Sequence, residues 1–313
     1  MKNNLSTAYP VGRRRLLATT GAAALSAALP LNALAAGGER ITKTIPRTGE
    51  RIPAIGMGTW IEFNVGDSTA LRQDRLDVLA TFLRHGGGLV DSSPMYGTAE
   101  AVIGWCRARL PDTSGLLSAT KIWTPVGGET LSEFEQSRAL WGVDTFDLMQ
   151  IHNLVDWEEH LPVLQQAKAD GRVRYIGVTT SHGGRHREME EIMSTQDIDF
   201  VQLTYNILDR QAESRLLPLA MERGIGVIAN RPFRRKDLFN RYQDEKLPDW
   251  ISEFDATNWA QFFLKFIISH PAVTCAIPAT SVTAHMDENM GAAFGRLPDE
   301  DMRRRMADYV QSL

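Results

Sequence analysis

Four side chains in this sequence are of types that can act together on a carbonyl group: Asp91, Tyr96, Lys121 and His152. A phenol titrates near pKa ~10, so it is a poor acid or base at neutral pH unless its surroundings tune it. A lysine cation beside it favours the phenolate and lowers that pKa. A carboxylate such as Asp91 can hold the lysine, because a lysine taken out of water needs a partner. An imidazole such as His152 can donate a hydrogen bond to a substrate oxygen. Such a set polarises a C=O bond and protonates the oxygen as a hydride reaches the carbon. No side chain supplies a hydride, so this chemistry implies a cofactor. Taken alone, Leu89-Val90-Asp91-Ser92-Ser93-Pro94-Met95-Tyr96-Gly97 has a plainer reading, a strand-to-helix turn whose Asp caps a backbone amide. The elements that carry the other residues decide between the two.

Those elements alternate. A hairpin signal around Arg47-Thr48-Gly49-Glu50 comes first. Short apolar strands follow at 55–60, 89–91, 116–121, 146–152, 174–179, 200–204, 226–229 and 273–277. Helical spacing appears at 72–85, 100–110, 131–141, 157–170, 185–194, 212–223, 258–269 and 283–293, with one more helix at 299–312. Apolar strands separated by helices mean a parallel sheet covered by helices. Eight repeats fit a (β/α)8 TIM barrel with an N-terminal β-hairpin and an extra C-terminal helix. No G-x-G-x-x-G follows any strand, which disfavours an open doubly wound sheet. Residues 231–257 break the rhythm and read as a long loop on the active-site face. In such a barrel the site lies at the C-terminal strand ends. Asp91 ends the second strand, Lys121 the third and His152-Asn153 the fourth, while Tyr96 sits in the loop after Asp91. Their convergence is hard to explain by core packing.

The rest of the composition narrows the function. A formal charge of −4 over 313 residues, with no basic stripe, disfavours a nucleic-acid binder. Seven histidines and two cysteines show no metal-ligand spacing, so no metal is expected. Cys106 and Cys275 are expected to be buried free thiols. Residues 1–35 read as a leader rather than as part of the fold. Gly12-Arg13-Arg14-Arg15-Leu16-Leu17 leads into an alanine-rich apolar stretch ending at Ala33-Leu34-Ala35, the pattern of a twin-arginine secretory signal. The domain would then be 36–313, exported to the periplasm or an equivalent compartment by the twin-arginine machinery. Thr19, Thr20, Gly21, Ser26, Pro30 and Asn32 make the stretch a poor membrane anchor. A monomer is the expectation for the oligomeric state.

Over essentially all of 36–313 the chain resembles the aldo-keto reductases. The resemblance is carried by Gly56-Met57-Gly58-Thr59-Trp60, Val90–Gly97, Thr120-Lys121-Ile122-Trp123, Asp147–His152, Tyr175-Ile176-Gly177-Val178, Gln202–Asn206, and Ile277-Pro278-Ala279-Thr280-Ser281 with Glu288-Asn289. It implies an NADP(H)-dependent reductase of a small-molecule aldehyde or ketone, with NAD(H) also open. Asp91, Tyr96, Lys121 and His152 fall on the family's tetrad, with Tyr96 as general acid and His152 orienting the carbonyl. Gln202 would contact the nicotinamide carboxamide. Trp60 and Trp123, with Asn153, would line the substrate pocket. Thr280, Ser281, His285, Glu288 and Asn289 would hold the adenosine end, and Thr59, Thr179, Thr180, Asn230, Arg231 and Phe233 would lie along the rest of the cofactor.

The sequence also departs from the family pattern. Thr179-Thr180 stand where Ser-Asn is frequent, Asn230 where an aromatic residue usually stacks on the nicotinamide, and Ala279 and His285 where cations are frequent. Arg231, Arg234, Arg235 and Lys236 either supply the missing phosphate-binding charge or form a solvated basic turn. The alternative to a turning-over reductase is an exported nicotinamide-nucleotide-binding protein or sensor.

Overall fold

A computed structural model of the chain describes residues 39–313. The expected export signal lies outside these residues. A short antiparallel hairpin comes first, β1 (Thr42–Thr44) and β2 (Arg51–Pro53). Eight parallel strands follow: β3 (Met57–Gly58), β4 (Gly88–Asp91), β5 (Leu116–Ile122), β6 (Phe146–Ile151), β7 (Val173–Thr179), β8 (Phe200–Thr204), β9 (Gly226–Asn230) and β10 (Val273–Ala276). Each pairs with its neighbour in chain order. The helices are α1 (Thr69–Arg84), α2 (Ala99–Arg107), α3 (Thr130–Trp141), α4 (Trp157–Ala169), α5 (His186–Thr195), α6 (Leu216–Arg223), α7 (Asp237–Tyr242), α8 (Trp259–Ile268), α9 (Thr283–Gly291) and α10 (Glu300–Ser312). The ring closes through parallel bridges Ile55↔Ala276 and Gly58↔Ala279. This is the expected (β/α)8 TIM barrel.

Strand alternation sorts side chains into two cores. Val90, Met149, Val201 and Val227 face outward and meet the helices. Leu89, Ala119, Leu148, Phe200 and Ile228 face inward and pack with Ile45 and Ile52 of the hairpin, which covers the lower end of the barrel. Two residues further along each of these five strands comes the next inward layer: Asp91, Lys121, Gln150, Gln202 and Asn230, all buried. One period-2 step therefore changes the interior from apolar to polar. Closure of the ring also demands a residue without a side chain. A Cβ on Gly56 would meet Leu89 O at 2.5 Å and Cys275 Sγ at 3.1 Å.

Three elements differ from expectation, each for a local reason. The first strand is only two residues long, because the chain leaves the barrel in a turn closed by Phe63 N–H donating to Thr59 O at 3.0 Å. The helix expected over 212–223 is a 3-10 turn, Gln211–Ser214, followed by α6. Pro218 has no N–H to bond back to Ser214, so the two cannot run on as one helix. The loop expected over 231–257 contains α7 and a 3-10 turn at Ile251–Phe254. Its aromatic residues are fixed against α8: Tyr242 and Trp250 lie 6.0 Å and 6.1 Å from Trp259 and Phe262. Cys106 and Cys275 are buried free thiols. No helix among the described residues is long and apolar enough to cross a membrane.

Gly56→Ala is expected to lower stability by about 1–3 kcal/mol, the usual cost of forcing atoms into a filled core. Urea unfolding reads this directly, and an unchanged midpoint would show that the ring can close without the glycine.

Candidate active site

Asp91 ends β4 and Lys121 stands near the end of β5, both facing inward. Lys121 Nζ donates to Asp91 Oδ2 at 2.6 Å and to Ser92 O at 2.7 Å. The other carboxylate oxygen, Oδ1, accepts from Gln202 Nε2 at 2.8 Å and from Gln150 Nε2 at 3.1 Å. The Thr59 hydroxyl bridges Asp91 O and Ser92 Oγ, both at 2.9 Å. Every oxygen of the buried carboxylate is thus satisfied, which a charge held in the interior requires.

Ser93 and Pro94 convert the end of β4 into a 3-10 turn, Pro94–Tyr96, capped by Met95 N–H donating to Ser93 Oγ at 3.2 Å. The turn lays the Tyr96 ring beside the ion pair, with Lys121 Nζ 5.1 Å from the ring centroid. His152 follows β6 and meets Tyr96 edge-on at 5.6 Å. Behind the turn, buried Glu100 accepts from Thr120 Oγ1 at 2.6 Å, Trp141 Nε1 at 3.0 Å and Ser137 Oγ at 3.1 Å. These bonds tie α2 to β5 and α3 and fix where the turn ends.

The environment sets the protonation states. Burial pushes the Tyr96 phenol above its ordinary value; Lys121 works against this and Asp91 adds to it. The direction is the reverse of the lowering expected from Lys121 alone, because desolvation of the phenolate outweighs one nearby cation that is already paired. Burial works against the charge on Lys121, but Asp91 and Tyr96 outweigh it, so its pKa stands above the ordinary lysine value. Burial, then the Lys121 charge, lower His152 to about 3. His152 is therefore neutral at physiological pH and has one N–H. Ser93 Oγ lies 2.9 Å from His152 Nδ1 in a buried position and already accepts the Met95 amide. With that amide on one lone pair, the hydroxyl proton is free to donate to Nδ1, an arrangement that leaves the imidazole proton on Nε2.

Tyr96 and His152 open into a cleft of about 650 Å³. Of the residues expected from the sequence, Thr59, Trp60, Asn153, Thr179, Thr180, Gln202, Asn230, Arg231 and Phe233 line it. Thr280, Ser281, His285, Glu288 and Asn289 do not; they lie beyond Ala279, on the loop into α9 and on α9 itself. Trp123 also stays off the cleft wall. It is 44% exposed, and its backbone N–H is held by Glu133 Oε2 at 2.6 Å. Asn230, expected to meet the cofactor, spends its amide on the protein, accepting from Thr204 Oγ1 and donating to Thr180 O, each at 2.8 Å. Two buried polar atoms on the wall have no partner among the described residues, Thr180 Oγ1 and Arg231 Nη1. A hydroxyl and a guanidinium left open fit a ligand that carries both an amide and phosphate groups, as a nicotinamide dinucleotide does.

Sequence reasoning missed Gln150 and the role of Ser93. Gln150 was within reach of it: it is two residues before His152, hence on the same face of the strand, and in register with Lys121. The Ser93–His152 bond joins two different strand ends and leaves no local signal.

A barrel with a lysine–aspartate pair, a phenol and a neutral imidazole at its upper end defines a carbonyl oxidoreductase site. A profile of the Aldo/keto reductase family matches residues 54–307, and the chain belongs to that family, as an NAD(P)H-dependent oxidoreductase. Methylglyoxal reductase YeaE of Escherichia coli is 26% identical over 76% of this chain and 84% of its own. An NADH-specific methylglyoxal reductase of the same organism is 27% identical over 62% of this chain and 68% of its own. Among solved structures, an aldo/keto reductase from Klebsiella pneumoniae in complex with NADP and acetate superposes with a TM-score of 0.70 at 23% identity. The match covers 84% of this chain and 93% of that one.

Two outcomes check the site. Lys121→Met leaves Asp91 charged and unpaired, and is expected to cost about 3–5 kcal/mol in chemical denaturation. The double variant Asp91→Asn/Lys121→Met should recover part of this; equal losses would mean that the pair is not the source. In ¹⁵N NMR, His152 is expected to show the Nε2–H tautomer at pH 7 and to stay neutral down to about pH 4, given its lowered pKa. Ser93→Ala should mix the tautomers and lower kcat about tenfold, the scale of one lost buried hydrogen bond. An unchanged tautomer in that variant would remove Ser93 from this role.

Proposed function

We propose that the protein reduces an aldehyde or ketone to an alcohol, with Tyr96 as general acid. The observation that carries the reading is the Tyr96 phenol and the His152 imidazole meeting edge-on at 5.6 Å beside the buried Asp91–Lys121 pair. A bound nicotinamide dinucleotide supplies the hydride. The chain's residues do the rest. His152 donates a hydrogen bond that orients the carbonyl oxygen. Tyr96 transfers its phenolic proton to that oxygen as negative charge builds there. Lys121 then faces the developing phenolate and offsets its charge, while Asp91 keeps Lys121 from moving. Thr180 and Arg231 would hold the cofactor's carboxamide and phosphate groups. NADP(H) is the proposed cofactor, since a relative of the same fold holds NADP. NAD(H) stays open to the protein, since another relative is NADH-specific.

The reading extends to location. The twin-arginine pattern at 1–35 supports export to the periplasm in the folded state. That route suits a protein that acquires its cofactor before it crosses the membrane. The substrate is a small-molecule carbonyl compound, and the chain is taken to act as a monomer.

Tyr96→Phe is expected to lower kcat by about 10²–10⁴, the usual contribution of a positioned general acid, with the cofactor Kd unchanged. Steady-state reduction of a carbonyl panel with NADPH and NADH, alongside cofactor fluorescence titration, separates the two quantities. Near-normal turnover in the variant would take the acid role away from Tyr96.

A further inference from the structure

The cleft continues upward from Tyr96 between two walls. One is apolar: Trp60, Ile61 and Met95, of which Ile61 and Met95 are exposed. The other is the segment after β9, where Arg231, Arg234, Arg235 and Lys236 all line the cleft. Arg234 is taken up by Asp209 at 3.1 Å and Asp237 at 3.4 Å. Arg231, Arg235 and Lys236 have no ion-pair partner among the described residues. With Lys121 beneath, five cations stand against four carboxylates, Glu62, Asp91, Asp209 and Asp237. Asp91 is bound by Lys121, and Asp237 by Arg234 and Arg241.

The backbone holds these cations in place at a conformational cost. Arg231, Arg234 and Arg235 have φ of 52°, 47° and 63°, in the left-handed region that residues with a Cβ rarely adopt. Such outliers persist where the surrounding structure imposes them, and they cluster at ligand sites. The imposition is visible: Phe233 packs 4.8 Å from Phe239, and Phe239 packs 6.3 Å from Phe263 of α8. Arg235 then reaches across the cleft, its guanidinium carbon 4.5 Å from the centre of the Trp60 ring. Arg231 and Arg235 also act together on one point, since after burial they are the groups that lower His182.

The two arginines differ in position. Arg231 directly follows Asn230, and its open Nη1 is buried in the wall that carries Thr180. Arg235 lies over Trp60, whose ring lines the same cleft as Tyr96. We propose that Arg235 binds an anionic group, a carboxylate or phosphate, carried by the carbonyl substrate itself, so that the preferred substrates are acidic aldehydes or ketones. This rests on the reductase reading for its substrate. The same charge chemistry could instead serve the phosphates of the cofactor, and the test separates the two sources.

The experiment compares 4-carboxybenzaldehyde with its methyl ester, which share the ring and the reacting carbonyl. The full chain should favour the acid in kcat/KM by about tenfold or more, through KM, as one charge-assisted contact allows. Arg235→Met keeps the stem over Trp60 and removes the charge, and should bring the ratio to within about twofold. Arg235→Lys should restore part of it. An unchanged ratio in Arg235→Met overturns the proposal; if NADPH binding also weakens tenfold, Arg235 belongs to the cofactor's phosphates. A second arm titrates 4-(hydroxymethyl)benzoate, the anionic product, and follows tryptophan fluorescence. If neither aldehyde is reduced with NADPH or NADH, the reductase reading fails. Anion binding that is lost in Arg235→Met would still uphold the subsite, and no such binding would defeat it.

Discussion

The structure depends on keeping one ion pair, Lys121 with Asp91, inside the barrel. Both side chains are buried, Lys121 completely and Asp91 to 3% exposure. Removing two charges from water costs several kcal/mol each, and their attraction repays this only if the remaining donors and acceptors are filled. The barrel fills them from the ends of β4, β6 and β8. Ser92 O takes one lysine N–H, and Gln150 and Gln202 supply Oδ1 from across the ring. The two glutamines cannot be apolar without stranding the carboxylate. The polar layer is therefore a single unit in which each member is required by the others.

That unit explains how much of the site is legible in the sequence. Leu89 and Asp91, Ala119 and Lys121, and Leu148, Gln150 and His152 follow the period-2 rule. Once eight strands are counted, the parallel register pairs Lys121 with Gln150 and Asp91 with Ala119, so Asp91 and Lys121 lie one inward step apart on adjacent strands and their side chains meet. Asp91, Tyr96, Lys121 and His152 can thus be placed from spacing alone. Three features resist such reading. The direction of the Tyr96 shift depends on how much water the folded turn excludes, which no spacing encodes. The engagement of Asn230 with Thr204 and Thr180 depends on neighbouring strand ends. The contact of Arg235 with Trp60 joins the loops after β9 and β3. It depends on the aromatic packing that turns residues 231–257 from an apparent loop into a fixed strap.

The protonation states then give the ion pair its meaning. If Lys121 served to ionise Tyr96, the phenol would stand below its ordinary value, and it stands above. Lys121 instead moderates a shift that burial imposes. The phenol keeps its proton at neutral pH, yet a cation stands 5.1 Å from the centre of its ring. His152 follows the same logic in reverse. The cation that makes a phenolate bearable makes an imidazolium unfavourable, and with burial it holds His152 neutral. One lysine charge thus acts oppositely on two neighbouring groups. It favours loss of a proton from Tyr96 and disfavours gain of one by His152.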